Sequence, residues 1–227
     1  MSQTMPPVLP EEPQQATRII AVRHGETAWN VDSRIQGHLD IALNHTGHWQ
    51  ARCLAQALAQ EDIAAIYSSD LQRALATAQA IAQHAGAPLQ PEPALRERCF
   101  GHFQGRTFTQ IEQEAPEHAR LWRKRAPDFA PEGGGESLLT LRARIQAAVQ
   151  RLAARHGGEQ IVLVAHGGVL DILYRLATRL ELQAPRTWQL ANAAINRLLW
   201  TPQGLTLVGW GDVQHLETGA RDELDIG

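Results

Sequence analysis

Apolar positions along this chain fall into short unbroken runs and longer runs spaced three and four apart. The first short run, Thr17-Arg18-Ile19-Ile20-Ala21-Val22-Arg23, is β-branched and apolar, and ends abruptly at His24-Gly25 before a polar loop. Residues 63–67 and 161–165 are two more such runs, the latter continuous enough for a strand buried on both faces. Helical spacing separates them. Thr46 is placed to cap a helix reaching about Ala59, and Ser68-Ser69-Asp70 to cap one reaching His84. Residues 136–155 align Leu138, Leu141, Ile145, Ala148, Val149 and Leu152 on one helix face. His166-Gly167-Gly168 opens a further helix ending near Leu180. Residues 88–93 read as an extended edge segment, and strands over 194–200 and 205–210 flank the turn Thr201-Pro202-Gln203-Gly204.

Strands alternating with helices predict a three-layer α/β/α sandwich, with a mostly parallel central sheet and an antiparallel edge strand from the closing hairpin. Residues 95–135 break the alternation. They read as a loop, one or two short helices broken at Pro116, and a Pro- and Gly-rich loop, which together predict a helical cap insertion over the strand ends. One domain is expected over 17–211, with 1–16 a disordered tail and 212–227 a C-terminal tail.

Composition narrows the classes. A chain of 227 residues, 44% hydrophobic and 20% charged, has the make-up of a globular domain with a full core. Its net charge of -3 gives no support for a nucleic-acid partner, and no apolar run is long enough to cross a bilayer. The first sixteen residues lack the basic and apolar regions of a secretory signal. Cys53 and Cys99 stand far apart, which favours a reducing compartment, and the cytoplasm is expected. His38, His45 and His48 lack helical metal-ligand spacing, so no metal site and no cofactor are expected. The hairpin edge leaves pairing into a homodimer open.

Candidate chemistry gathers at the predicted strand ends. His24 follows Arg23 at the end of the first strand, Arg73 sits in the first turn of the helix after the second, and His166 ends the most apolar strand. Glu97 lies at the mouth of the cap. Each alone also fits a plain structural role: a solvated helix arginine, a capping histidine, a surface ion pair. Together they describe one reaction. Two guanidiniums and an imidazolium neutralise a transferring phosphoryl group, a neutral histidine attacks phosphorus, and a carboxyl group protonates the leaving alkoxide.

The stretch Arg23-His24-Gly25-Glu26-Thr27-Ala28-Trp29-Asn30 closely resembles the signature of the histidine phosphatase superfamily, the phosphoglycerate mutase-like fold. Arg34-Ile35-Gln36-Gly37, Ser68-Ser69-Asp70-Leu71-Gln72-Arg73-Ala74, Leu95-Arg96-Glu97, Gly134-Gly135-Glu136-Ser137 and Ala165-His166-Gly167-Gly168 extend the resemblance in the same order. The resemblance implies that His24 is the phosphorylated nucleophile and Glu97 the general acid. Arg23, Arg73 and His166 would form the phosphate pocket, with Asn30, Gln36, Gly37 and Gly167 lining the substrate site. It implies a metal-independent phosphomonoester hydrolase acting on a small phosphorylated metabolite.

The same family holds mutases. Gly101-His102-Phe103-Gln104-Gly105 resembles the cofactor-dependent phosphoglycerate mutases, and Trp122-Arg123-Lys124 is similar to their basic pair, so Arg123 and Lys124 are expected to bind the distal substrate group. Phe108, however, stands where those mutases carry Lys, the loop over 126–135 is shorter than their lid, and Gly168 takes the place of their Asn. Hydrolysis is favoured. The alternatives are a phosphoglycerate mutase, a sugar-bisphosphate phosphatase and, more remotely, a non-catalytic binder of phosphorylated ligands. Phe100, Phe103 and Phe108 are expected as the cap's own core rather than an aromatic platform.

Overall fold

The computed structural model describes residues 15–217. In chain order the strands are β1 (Thr17–Arg23), β2 (Ala65–Ser68), β3 (Leu89–Pro91), β4 (Gln160–Ala165), β5 (Ile195–Thr201) and β6 (Gly204–Asp212). They form one sheet in the order β3-β2-β4-β1-β5-β6. The β3/β2, β2/β4 and β4/β1 pairs are parallel, and β1/β5 and β5/β6 antiparallel, so the antiparallel edge is a whole hairpin. The helices are α1 (Ala28–Val31), α2 (His45–Ala57), α3 (Gln72–Ala85), α4 (Phe108–Glu114), α5 (Pro116–Arg123), α6 (Leu138–Ala153) and α7 (Gly167–Thr178).

Side-chain alternation sorts the sheet into two dry faces. Ile19, Ala21, Ile161, Leu163 and Leu198 pack with α6 and α7 residues such as Leu141, Ile145, Val169 and Leu173. Ile20, Val22, Ile66, Val162, Val164 and Ile195 pack with Leu54, Ala74, Ala78 and Ile81 of α2 and α3. The predicted three layers are therefore present. The chain leaves β1 toward the α2/α3 face and leaves the adjacent β4 toward the α6/α7 face. A crevice opens where neighbouring parallel strands send their connections to opposite sides, and ligands bind there.

Several local expectations change. Asn44, not Thr46, caps α2: its Oδ1 accepts from the Gly47 amide at 2.8 Å. The α3 helix has no side-chain cap, and Ser69 Oγ instead accepts from the Leu71 amide at 3.3 Å, shaping the turn before it. The unforeseen α1 is a single turn closed by a Thr27–Asn30 capping box. A 3-10 turn at Pro93–Leu95 leads into the 95–135 segment, which contains a second at Gly101–Phe103, α4 and α5 around a small core of Phe103, Ile111 and Ala119, against which Phe100, Phe108 and Trp122 pack. At the C-terminal side β6 runs through Asp212 and residues 214–217 form a helical turn. Most of the expected N-terminal tail and residues 218–227 lie outside the described residues.

Candidate active site

Register decides which side chains meet. Arg23 pairs with Ala165 across the β1/β4 ladder, so the next residues, His24 and His166, leave the sheet side by side. Their rings stand 5.1 Å apart, tilted by 57°. The His24 amide still donates to Ala165 O at 3.0 Å, which anchors the strand end. Ser69 leaves β2 on the other side of β4 and meets His166 Nε2 at 2.8 Å.

His24 is buried and neutral. Its Nδ1 lies 2.7 Å from Gly25 O, an acceptor, so the ring proton is assigned to Nδ1 and the Nε2 lone pair is free. Burial pushes its pKa well below the ordinary histidine value, and the guanidiniums of Arg23 and Arg73 push it further. His166 is depressed in the same direction, first by burial and then by Arg73, His24 and Arg23. The expected imidazolium is thus an imidazole. Because Ser69 Oγ accepts from Leu71, its hydroxyl hydrogen goes to His166 Nε2, leaving the ring proton on Nδ1, which has no partner among the described residues. His166 thus carries an uncharged Nδ1–H donor.

The charges come from arginine. Arg73, 1% exposed, donates to Leu39 O at 2.9 Å and Gly37 O at 2.7 Å. Burial lowers its pKa to about 10, which keeps it charged at neutral pH. Gly37 contributes this carbonyl from a backbone at φ 54°, a conformation costly for side-chain-bearing residues. Arg23 donates to Leu190 O, and its Nε, like that of Arg73, is buried without a partner among the described residues. Unpaired buried donors around a neutral imidazole suit an anion.

Glu97 reaches the site from the cap. One of its oxygens accepts from Arg98 N at 2.7 Å, and both lie 3.1 Å from Gly168 N at the start of α7. Gly168 makes this approach feasible: a Cβ there would run into Glu97 Oε1. His38 Nε2 meets Glu97 O at 2.8 Å and so fixes the backbone behind the acid.

Arg23, His24, Asn30, Gln36, Gly37, Arg73, Glu97 and Gly167 line one cleft of about 550 Å³, with His166 buried beside it. Arg123 and Lys124 do not line it. Arg123 pairs with Glu112 at 2.7 Å and lies over the Phe108 ring at 4.7 Å, and Lys124 caps the end of α5. The chain then turns through Arg125 at φ 51°, which sends that side chain to Asp171 of α7 instead. Arg34, Arg98, Arg125 and Arg186 are the cleft's remaining cations. Arg98, Arg186, Thr77, which accepts from the Gly25 amide at 3.0 Å, and Asn192, whose amide donates to His24 O at 2.8 Å, were not among the residues expected at the site. None has a local motif that announces it.

A mostly parallel sheet covered on both faces, carrying a neutral histidine between guanidiniums at a strand-end crevice, defines a site for phosphoryl chemistry. The chain belongs to the histidine phosphatase superfamily (branch 1), whose profile matches residues 19–213. It is 41% identical over 202 residues to phosphoglycerate mutase-like protein 4 of Arabidopsis thaliana, covering 88% of this chain and 86% of the relative. Identity to the metal-independent phosphoserine phosphatase of the same plant is 38% over 206 residues, 90% and 85% of the two chains. The crystal structure of an Entamoeba histolytica phosphoserine phosphatase in complex with 3-phosphoglyceric acid matches with a TM-score of 0.78 at 28% identity, covering 88% of this chain and 99% of that one.

Proposed function

We propose that this protein is a metal-independent phosphomonoester hydrolase, working through a phosphohistidine on His24 and acting on a small phosphorylated metabolite. The observation that carries the reading is the state of His24: neutral, proton committed to Gly25 O, and Nε2 free beside Arg23 and Arg73. Family membership and a phosphatase among the relatives support it.

In the first step His24 Nε2 attacks phosphorus in line, the P–N bond forms as the ester P–O bond breaks, and protonated Glu97 gives its proton to the departing alcohol oxygen. A bound phosphate dianion favours that protonated state by disfavouring a second negative charge nearby. Arg23, Arg73 and the His166 Nδ1–H hold the equatorial oxygens. Water then attacks phosphorus, Glu97 takes its proton, the P–N bond breaks, and neutral His24 returns. Asn30, Gln36 and Gly167 line the phosphate end, and Gly37 acts through its carbonyl on Arg73. The cationic set does the charge neutralisation that metal ions supply elsewhere. Two cysteines in a chain of this size fit the cytoplasm as its compartment. Among the described residues, no helix is long and apolar enough to cross a membrane.

Hydrolysis of p-nitrophenyl phosphate tests the reading. Turnover should survive a strong chelator and vanish in His24→Ala; loss on chelation contradicts metal independence. The mutase-like relative keeps one second reading in play, phosphoglycerate mutase activity. Incubation with 3-phosphoglycerate and a bisphosphate primer separates the two, since only a mutase forms 2-phosphoglycerate.

A further inference from the structure

The segment that carries the acid belongs to no helix or strand, so residues 96–100 have no ladder to fix their peptide planes. Side chains fix them instead. From α6, Arg144 donates to Ala94 O at 2.8 Å and Arg96 O at 2.9 Å, and is itself paired with Glu136. At Glu97 O the Arg144 contact lengthens to 3.4 Å, and the close partner is His38 Nε2 at 2.8 Å. A carbonyl only accepts, so the ring proton of His38 is assigned to Nε2. His38 and Arg144 line a second hollow with Cys99, and neither lines the cleft. His38 therefore reaches the chemistry only through the peptide that joins Glu97 to Arg98.

The N–H of that same peptide, on Arg98, donates to Glu97 Oε1 at 2.7 Å. Oε1 also receives Gly168 N at 3.1 Å, whereas Oε2 has only a share of that Gly168 amide, again at 3.1 Å. An oxygen already accepting from two N–H groups is the poorer place for a hydroxyl hydrogen, so the proton of the neutral acid falls on Oε2. Oε2 is also the oxygen beside the phosphate end. A Cβ at Gly167 would stand 3.9 Å from Oε2 and 3.8 Å from Arg23 Nε, one of the buried donors without a partner among the described residues. His38 is held in turn. Its amide donates to Gln104 Oε1 at 2.7 Å, and the carbonyls on either side of it, Gly37 O and Leu39 O, accept from Arg73.

We propose that His38 is a positioning residue for proton transfer: by holding Glu97 O it keeps the Arg98 N–H on Oε1 and reserves Oε2 as the oxygen that gives and takes the proton. The inference rests on the phosphatase reading and adds to it the atom that moves the proton and the group that aims it. As the ester P–O bond breaks, the Oε2 proton passes to the departing alcohol oxygen. When water attacks phosphorus, its proton returns to Oε2. A hydrogen bond at the carbonyl also polarises the peptide and strengthens its N–H as a donor. Without His38 only the long Arg144 contact remains at Glu97 O. The peptide plane is then free to turn, its N–H leaves Oε1, and the two oxygens compete for the proton.

The test compares p-nitrophenyl phosphate with benzyl phosphate, which are similar in shape but differ in how much the departing oxygen needs a proton. His38→Leu should lower kcat/KM for the benzyl ester by about ten-fold and leave the nitrophenyl ester within about two-fold, as expected for one hydrogen bond that matters in transfer. His38→Gln places an amide N–H where Nε2 was and should restore the wild-type ratio, whereas the shorter His38→Asn should not. Should His38→Leu fail to fold, the Gln and Asn variants carry the comparison. Competitive inhibition by inorganic phosphate should be unchanged, because Arg73 keeps its two carbonyls. In a Glu97→Gln background, which has no proton to give, His38→Leu should cause no further loss. An equal loss for both esters, weakened phosphate inhibition, no recovery in His38→Gln, or a further loss in the Glu97→Gln background would mean that His38 only holds the loop, and overturns the proposal. A wild type that hydrolyses neither ester would instead remove the phosphatase reading itself.

Discussion

His24 and His166 illustrate how a few buried groups set both chemistry and pH response. Both have folded-state pKa values well below the 6.5 of a free imidazole. Below that value the unfolded chain binds the more protons, so their neutral burial contributes stability that is complete above about pH 6.5 and lost as pH falls. The expected slope is about 1.4 kcal/mol per pH unit for each histidine. Urea midpoints at pH 7 and pH 5, with and without His166→Asn, check this: the variant should lose less on acidification. Gly168 makes a second point at this scale. A methyl group there displaces the Glu97 carboxylate, so Gly168→Ala should lower kcat by about ten-fold or more for alkyl phosphates, which need a proton on the leaving oxygen. The loss should be much smaller for p-nitrophenyl phosphate, and an equal loss for both would mean that Gly168 does not act through Glu97. That His24, Arg23, Arg73, His166 and Glu97 gather at one crevice was legible in sequence, because each sits at or next to the end of a recognisable strand or in a short motif. Arg186 was not, because nothing in residues 181–194 indicates which side chain faces the cleft.

Single elements explain where local sequence signals misled. Thr46 looked like a helix cap by residue type, yet Asn44 holds the position because its amide also donates to Glu26 Oε1 at 2.8 Å, tying the start of α2 to the loop after His24. That loop and α2 touch closely: a Cβ at Gly47 would strike Glu26 O. Gly47→Ala should therefore reduce both melting temperature and kcat, whereas Asn44→Ala should cost about 1 kcal/mol of stability. Thermal melts paired with aryl phosphatase assays separate the two effects. Arg123 and Lys124 were misplaced for a related reason. Sequence shows that a basic run ends a helix, but not that the backbone turns through a left-handed residue just beyond it and exchanges Arg123 for Arg125 as the side chain facing inward.

For the molecule as a whole, the order of strands does most of the positioning. Placing β4 between β1 and β2 brings the ends of three strands, and with them His24, Ser69 and His166, to one crevice. The alternation of apolar runs predicted the layers, since the central strands β1, β2 and β4 are buried on both faces, but strand order depends on long-range pairing that no local window records. The cleft's arginine excess belongs to the same scale. Raising ionic strength should raise KM for anionic esters while leaving kcat little changed, because screening weakens capture more than close contacts in a buried site. A KM insensitive to salt would contradict the charge pattern described above.

The most direct measurement is a rapid quench into alkali after mixing enzyme with substrate carrying labelled phosphate. The account predicts transient label on the protein that is stable to base, labile to acid, and located on His24 by peptide analysis. Turnover without such label, or label on another residue, would contradict it.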